Sequence, residues 1–301
     1  MPAPLVSVVI PTYNHAQFLE SALNSVREQT CADWEAIVVN NHSEDNTVDV
    51  VAACDDPRIR LVNFHNHGVI AASRNEGIRL ANGDLIAFLD SDDIWYPQKL
   101  ARCIETLENG FDLVCHGENW TKADSPPREM HYGPAPRATY PRLLFNGNCI
   151  STSAVVVRKQ SLERVRGFRE EPRFITAEDY DLWLRLARDG ARIGFVHEIL
   201  GEYRMHEGNA TKALLRHLDA ELAVINDHFA ALAAGDPLAQ LRMRRRRALA
   251  YYGTGRGFQT AGNRRESWHW FGRALQESPF ILRLYAAAAL NLVAPLRQLF
   301  A

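Results

Sequence analysis

A chain of 301 residues with 47% hydrophobic and 23% charged residues is that of an ordinary globular protein, large enough for one big domain or one domain with an appendage. Its formal net charge of −2 argues against a nucleic-acid partner recruited by overall field, and no apolar run of about 18 residues is free of charge, which argues against a membrane-spanning helix. The five cysteines (Cys31, Cys54, Cys103, Cys115, Cys149) are scattered and form no Cys-x-x-Cys, so they read as reduced thiols that pack.

Leu5 to Ile10 is a β-branched run ended by Pro11, the pattern of a buried first strand. Asn14 is placed to cap a helix carrying Phe18, Leu19, Ala22, Leu23 and Val26 on one face. Trp34 to Val39 predicts a second buried strand, followed by a polar turn over 40–46 and a short helix over 47–53. Arg58 to Phe64 predicts a third strand, Gly68 to Leu80 a helix closed by Asn82 and Gly83, and the run from Leu85 a fourth strand. Strands alternating with helices imply an α/β fold built on a doubly wound, mostly parallel sheet. A helix over 97–108 stops at Asn109-Gly110, and a short strand spans 112–115. Residues 118–142, rich in Pro, Arg and polar side chains, read as a loop over the site. Ser153 to Val157 resumes the sheet, and 178–189 predicts a helix. From about Leu214 the strand signal vanishes; the rest is helical, with loops expected at 235–237 and 253–262. The domains drawn from this pattern are 1–212, catalytic, and 213–301, a helical C-terminal region.

The chemistry concentrates where the fourth strand runs into Asp90, Ser91, Asp92 and Asp93. Ligands of open α/β sheets collect at the carboxyl ends of strands. Carboxylates this close repel, and a hard cation bridging to a phosphate relieves that repulsion. The plain alternative is that Asp92 or Asp93 caps the helix beginning near Pro97. A second acidic stretch, Glu178-Asp179-Tyr180-Asp181, opens a helix, where acids are favoured by the free N–H groups alone.

Five motifs in order (Pro11-Thr-Tyr-Asn14, Ser43-Glu-Asp-Asn-Thr47, Ser73-Arg-Asn-x-Gly77, Asp90-Ser-Asp-Asp93 and Glu178-Asp-Tyr-Asp-Leu-Trp-Leu-Arg185) resemble those of the inverting family 2 glycosyltransferases of GT-A fold, over roughly residues 5–210. The resemblance implies transfer of a sugar from a nucleotide-diphosphate sugar to an acceptor hydroxyl, dependent on Mn²⁺ or Mg²⁺, in synthesis of cell-surface polysaccharides or glycoconjugates. It implies that Pro11, Thr12, Tyr13, Asn41, Arg74, Asp90 and Ser91 hold the nucleotide, Tyr13 offering a stacking face. Asp90, Asp92 and His206 are the implied metal ligands, with Arg204 a phosphate clamp. Asp179 is the implied general base, with Glu178 its alternative or an acceptor contact. Asp181 falls on another helical face and reads as structural. Where the family commonly carries two aspartates after the second strand, this chain has Asn40-Asn41, which weakens discrimination among bases; UDP- or dTDP-sugars are the expected donors. The acceptor class is a glycan or a lipid-linked glycan, with no nucleic acid.

Two rival functions remain at this point: a non-catalytic nucleotide-sugar-binding protein, and a sugar nucleotidyltransferase. The latter usually opens with a Gly-rich basic loop, which Pro11-Thr-Tyr-Asn-His15 does not supply. The opening residues lack a charged-then-apolar leader, so the expected location is the cytoplasm. Arg242 with Arg244 to Arg247, and the Ala/Leu-rich segment 280–300, offer peripheral contact with the inner membrane face. Helical packing onto the catalytic domain or a homodimer contact are the alternatives for this segment.

Overall fold

The computed structural model describes residues 4–122, 125–205, 210–230, 232 and 237–298. The N-terminal part alternates as the periodicity predicts: β1 (Val6–Thr12), α1 (Ala16–Arg27), β2 (Trp34–Asn40), α2 (Thr47–Ala53), β3 (Ile59–Asn63), α3 (Ile70–Leu80) and β4 (Leu85–Phe88). These four strands lie parallel in the order β3-β2-β1-β4. Every residue of β1 is buried, as a central strand covered on both faces requires. Val6, Val8 and Ile10 pack with Leu19, Leu23, Ala36, Val38 and Leu100 into the main core.

Two glycines set how closely the elements approach β1. A Cβ on Gly77 would lie 2.3 Å from Val9 Cγ1, so only glycine lets α3 settle on the sheet at that point. A Cβ on Gly83 would stand 2.8 Å from the Ser7 backbone nitrogen at the entrance to β4.

Beyond β4 the sheet becomes mixed. The chain continues through β5 (Ile94–Trp95), α4 (Lys99–Glu108), β6 (Leu113–Lys122), β7 (Ser125–Met130), α5 (Tyr140–Asn146), β8 (Val155–Arg158), α6 (Lys159–Arg164), α7 (Glu178–Arg188) and β9 (Ile193–Met205). Strand β8 runs antiparallel between β4 and β6, β9 pairs parallel with β6, and β5 closes the far edge against β9.

Residues 118–122 and 125–130, expected within a loop, instead extend β6 and form the antiparallel β7. The composition that suggested a loop is that of an edge strand. Pro126 and Pro127 lack the N–H an interior ladder needs, and the strand is almost entirely exposed. Asn14 is not the cap of α1 either. It sits at φ +53° and accepts from Glu44 N–H, while Asp45 Oδ2 from the following βα loop accepts from Ala16 N–H at 2.9 Å. Nor does Asp92 or Asp93 cap α4, whose N-cap position is Gln98.

By contacts, the described residues of Met1–Tyr140 and Cys149–His206 form one compact unit, and those of Pro141–Asn148 and Glu207–Ala301 another. The second unit is helical: most of α5, then α8 (Ala210–Ala230), α9 (Pro237–Thr260), α10 (Arg264–Glu277) and α11 (Leu282–Gln298). Its own core gathers Leu218, Ala248, Tyr251, Phe271, Ala274, Ile281 and Leu284. The loop expected over 253–262 is largely helix, since α9 continues to Thr260. Two of its glycines serve close packing: a Cβ on Gly255 would meet the Phe271 ring at 2.6 Å, and one on Gly257 would meet Leu214 Cδ2 at 2.6 Å. The loop expected at 235–237 lies mostly outside the described residues.

Candidate active site

The ends of β1, β2 and β4 open into a cleft of about 380 Å³, lined by Pro11, Thr12, Tyr13, His15, Asn41, Asn66, Gly68, Ile70, Ser73, Asp90, Ser91 and Asp92. Parallel strands ending together bring these loops to one edge, the place where ligands of such sheets bind. The residues expected at a nucleotide, Pro11, Thr12, Tyr13, Asn41, Asp90 and Ser91, all line this one cleft. Tyr13 is 51% exposed and presents a free aromatic face. Thr12 Oγ1 is buried with no hydrogen-bond partner among the described residues. Such an atom costs stability unless something in the cleft supplies a bond.

The asparagine pair divides its work. Asn40 is buried; its Nδ2 donates to Asn63 Oδ1 at 2.8 Å and its Oδ1 accepts from Ser43 N–H and Oγ. An aspartate there would lack the donor for Asn63. Asn41 Oδ1 accepts from Asn66 N–H at 3.0 Å, which leaves one lone pair and the amide NH₂. Asn66 in turn is fixed by Gly68 N–H and Ser73 Oγ. Asn66 and His15 are cleft residues that the sequence reading did not select. The Asn66-His-Gly68 turn was the signal available for the first, because an Asx turn presets the loop. His15 Nδ1 lies 3.0 Å from Ser91 Oγ.

The two carboxylate centres, far apart in sequence, meet through Arg74. Its Nη2 donates to Asp90 Oδ1 at 2.7 Å and its Nη1 to Glu178 Oε1 at 2.7 Å. Burial disfavours its charge, but the carboxylates of Asp90 and Glu178 outweigh burial and raise its pKa further. Arg74 was expected to reach the nucleotide. In the structure it is not a cleft-lining residue, and both Nη groups are directed to protein carboxylates. Glu178 is correspondingly buried, and its second oxygen accepts from Thr176 N–H at 2.7 Å. Asp179, the next residue, is only partly buried and accepts from Thr152 Oγ1 at 3.1 Å and from Tyr180 N–H at 2.6 Å. Asp181 is fully buried and bound by Arg185 at 2.8 Å and Arg169 at 3.4 Å, a structural role.

Beneath Asp90 lies a buried polar layer. Ser153 Oγ accepts from Asp90 N–H at 3.1 Å and donates to Asp93 Oδ2 at 2.5 Å; Arg204 N–H donates to the other oxygen of Asp93. Burial, with the neighbouring charges of Asp90, Asp92 and Glu118, pushes Asp93 well above the usual carboxylate range. Burial likewise pushes Glu118 up to about 7, while Tyr132 donates to it at 2.7 Å. Lys99 is buried with Nζ 3.4 Å from the Trp95 ring centroid, and burial pushes it down to about 7. Burial and the Lys99 charge push His116 down to about 3, so its ring is neutral.

Asp90 and Asp92 fit the donor set of a hard divalent cation. Both are partly exposed in the cleft, and Arg74 engages only one oxygen of Asp90. Among the described residues no three His, Cys, Asp or Glu side chains form a complete cage. A pair of carboxylates is a donor set that Mg²⁺ uses, with substrate phosphates and water completing its shell. His206, the third expected ligand, lies outside the described residues.

Comparison with known proteins places this geometry in a class. The sequence pattern of "Glycosyl transferase family 2" matches residues 7–166. A putative teichuronic acid biosynthesis glycosyltransferase of Bacillus subtilis, TuaG, is 31% identical over 67% of this chain and 79% of its own length. An Escherichia coli UDP-Glc:alpha-D-GlcNAc-diphosphoundecaprenol beta-1,3-glucosyltransferase, WfgD, is 30% identical over 74% of this chain and 86% of its own. Among solved structures, S. aureus TarS 1–349 in complex with UDP superposes with a TM-score of 0.62 at 20% identity, over 94% of this chain and 82% of that one. The mannosyltransferase PcManGT from Pyrobaculum calidifontis, with GDP-Man and Mn²⁺, gives a TM-score of 0.62 at 21% identity, over 98% and 83%. The fold is thus GT-A, a mixed α/β architecture with C-terminal helices. The chain belongs to glycosyl transferase family 2 and is a glycosyltransferase, which sets aside the binding-protein and nucleotidyltransferase readings.

Proposed function

We propose that the protein transfers a sugar, with inversion, from a UDP-sugar to a hydroxyl of a lipid-linked glycan during synthesis of a cell-surface polysaccharide. The observation that carries this reading is the chain Asp90–Arg74–Glu178, which ties the donor cleft to the first turn of the helix bearing Asp179. Tyr13 stacks on the base, and Asn41 donates from Nδ2 to a uracil carbonyl while its remaining lone pair accepts the ring N–H. Thr12 Oγ1 gains the partner it lacks. Asp90 and Asp92 would hold Mn²⁺ or Mg²⁺, which when bound offsets charge on the leaving diphosphate. Asp179 takes the proton of the acceptor hydroxyl as its oxygen attacks the anomeric carbon. The bond from that carbon to the diphosphate oxygen breaks, and its electron pair leaves with the diphosphate. Thr152, donating to Asp179 Oδ2, and the ion pair on Glu178 keep this carboxylate oriented.

The UDP and UDP-GlcNAc complexes of TarS, and the UDP-Glc and diphosphoundecaprenol in the names of relatives, support the donor and acceptor classes. The GDP-Man complex of PcManGT at equal TM-score means that fold likeness alone does not select the base, so the experiment must. A panel of UDP-, dTDP-, GDP- and CDP-sugars is assayed with Mn²⁺ for nucleoside-diphosphate release, and the product's anomeric configuration is read by NMR. Release from UDP-sugars with an inverted product is expected. Activity on GDP-sugars alone, or retention of configuration, overturns the reading.

A further inference from the structure

Five arginines between 242 and 247 form one basic run in sequence, and the structure divides them. Arg246 is buried against Glu221 at 2.5 Å, Arg247 holds Glu277 at 3.0 Å, and Arg244 lies 3.6 Å from the same carboxylate. Arg242 and Arg245 have no ion pair among the described residues. With Arg142 they line a groove of about 380 Å³ completed by Pro141, Phe145 and Asn146, and no acid lines it. Arg242 lies over the Phe145 ring at 5.9 Å, and Arg245 Nη1 reaches Asn146 Oδ1 at 3.5 Å. Among the described residues, no acid compensates the three positive charges.

The same face of α9 carries apolar residues. Leu238, Leu241, Arg242 and Arg245 recur at the spacing that shares one side of a helix. Leu238 is 59% and Leu241 62% exposed. A soluble anion would satisfy the arginines but not the leucines. A bilayer surface satisfies both, with headgroup phosphates at the guanidinium forks and the leucines entering the acyl boundary. No described helix is long and apolar enough to cross a membrane, so contact of this kind would be peripheral.

We propose that this groove is a docking site for the phosphate headgroups of an anionic lipid bilayer, seating the enzyme on the surface that holds its acceptor; the inference rests on the lipid-linked acceptor proposed above. Each arginine near such a surface contributes about 1 kcal/mol, or about fivefold in partitioning, so the three together are worth on the order of a hundredfold.

The test is co-sedimentation of the full chain with phosphatidylglycerol/phosphatidylcholine vesicles and with pure phosphatidylcholine vesicles, at low and physiological salt. Wild type is expected to bind only the anionic vesicles, more weakly at higher salt. The triple variant Arg142→Ala, Arg242→Ala, Arg245→Ala should lose on the order of a hundredfold, and Leu238→Ser with Leu241→Ser should also weaken binding. Arg244→Ala, whose side chain faces Glu277, should bind as wild type. The triple variant should melt at the wild-type temperature, because the groove arginines hold no acid. Absence of binding at low salt, or equal binding by the triple variant, overturns the proposal. So does a rise in melting temperature with inorganic diphosphate that needs the three arginines while vesicles stay unbound, since the groove would then take a free anion. The vesicles contain neither donor nor acceptor, so the outcome is independent of catalysis. Donor hydrolysis by the triple variant in solution reports separately on the proposed function.

Discussion

Arg74 offers the sharpest test of how the two carboxylate centres cooperate. Replacing it with Met keeps much of the side-chain volume and removes the charge shared by Glu178 and Asp90. Glu178 has a side chain only 8% exposed, so it would be left as an unpaired buried carboxylate. Breaking a buried pair in this way costs about 3–5 kcal/mol. Asp90, 28% exposed, is partly relieved by water and adds less. At about 2–4 °C per kcal/mol for a chain approaching this size, Tm should fall by roughly 6–20 °C. Arg74→Lys retains one charge but not the two-pronged geometry, and should fall between wild type and Met. Thermal melts give the stability term, and steady-state kinetics the functional one. If Arg74 positions rather than binds, the Lys variant loses kcat through a displaced Asp179 and keeps the donor KM within a few-fold. A Met variant that melts within about 2 °C of wild type, with loss confined to donor affinity, would refute the bridge and return Arg74 to the nucleotide.

Three further outcomes are expected. Gly77→Ala places a methyl 2.3 Å from Val9 Cγ1, and such overpacking should cost about 1–3 kcal/mol in urea denaturation. Lys99 should make stability rise with pH: the unfolded chain keeps its proton up to about 10.5, while the folded one releases it above about 7. Between those values stability should increase by at most about 1.4 kcal/mol per pH unit, and Lys99→Met should flatten that rise in denaturation curves taken across the window. Asp179→Asn keeps the shape and loses the proton acceptor, so turnover should drop by roughly 10²–10⁴ with donor affinity little changed, as read by kinetics and calorimetric titration.

Much of the site was legible in the chain because it sits at strand ends. The runs over β1, β2 and β4 are apolar and short, and each is followed at once by its polar motif, so the motifs had to share one sheet edge. That logic brings Thr12, Tyr13, Asn41, Asp90 and Asp92 to one edge, and all five line one cleft. It had less to say where periodicity is blind. A short valine run such as that of β8 reads the same in either direction, and only pairing with β4 and β6 made it antiparallel. Two prolines and an arginine over 125–130 look like a loop because an exposed edge strand has no apolar face to declare. Gly255 and Gly257 look like a break because their reason, the Phe271 ring and Leu214 pressing on the helix, comes from elsewhere in the chain. Arg74 is the fullest case. Its presence in a motif was visible, but its two partners are 16 and 104 residues away, and a charge takes its role from whichever opposite charges the fold buries beside it. Sequence alone thus determined which residues gather at the cleft, since strand order and alternation are local properties. Tertiary structure alone decided how Asp90 and the helix that opens at Glu178 are joined, since ion pairing between distant residues depends on where burial leaves them.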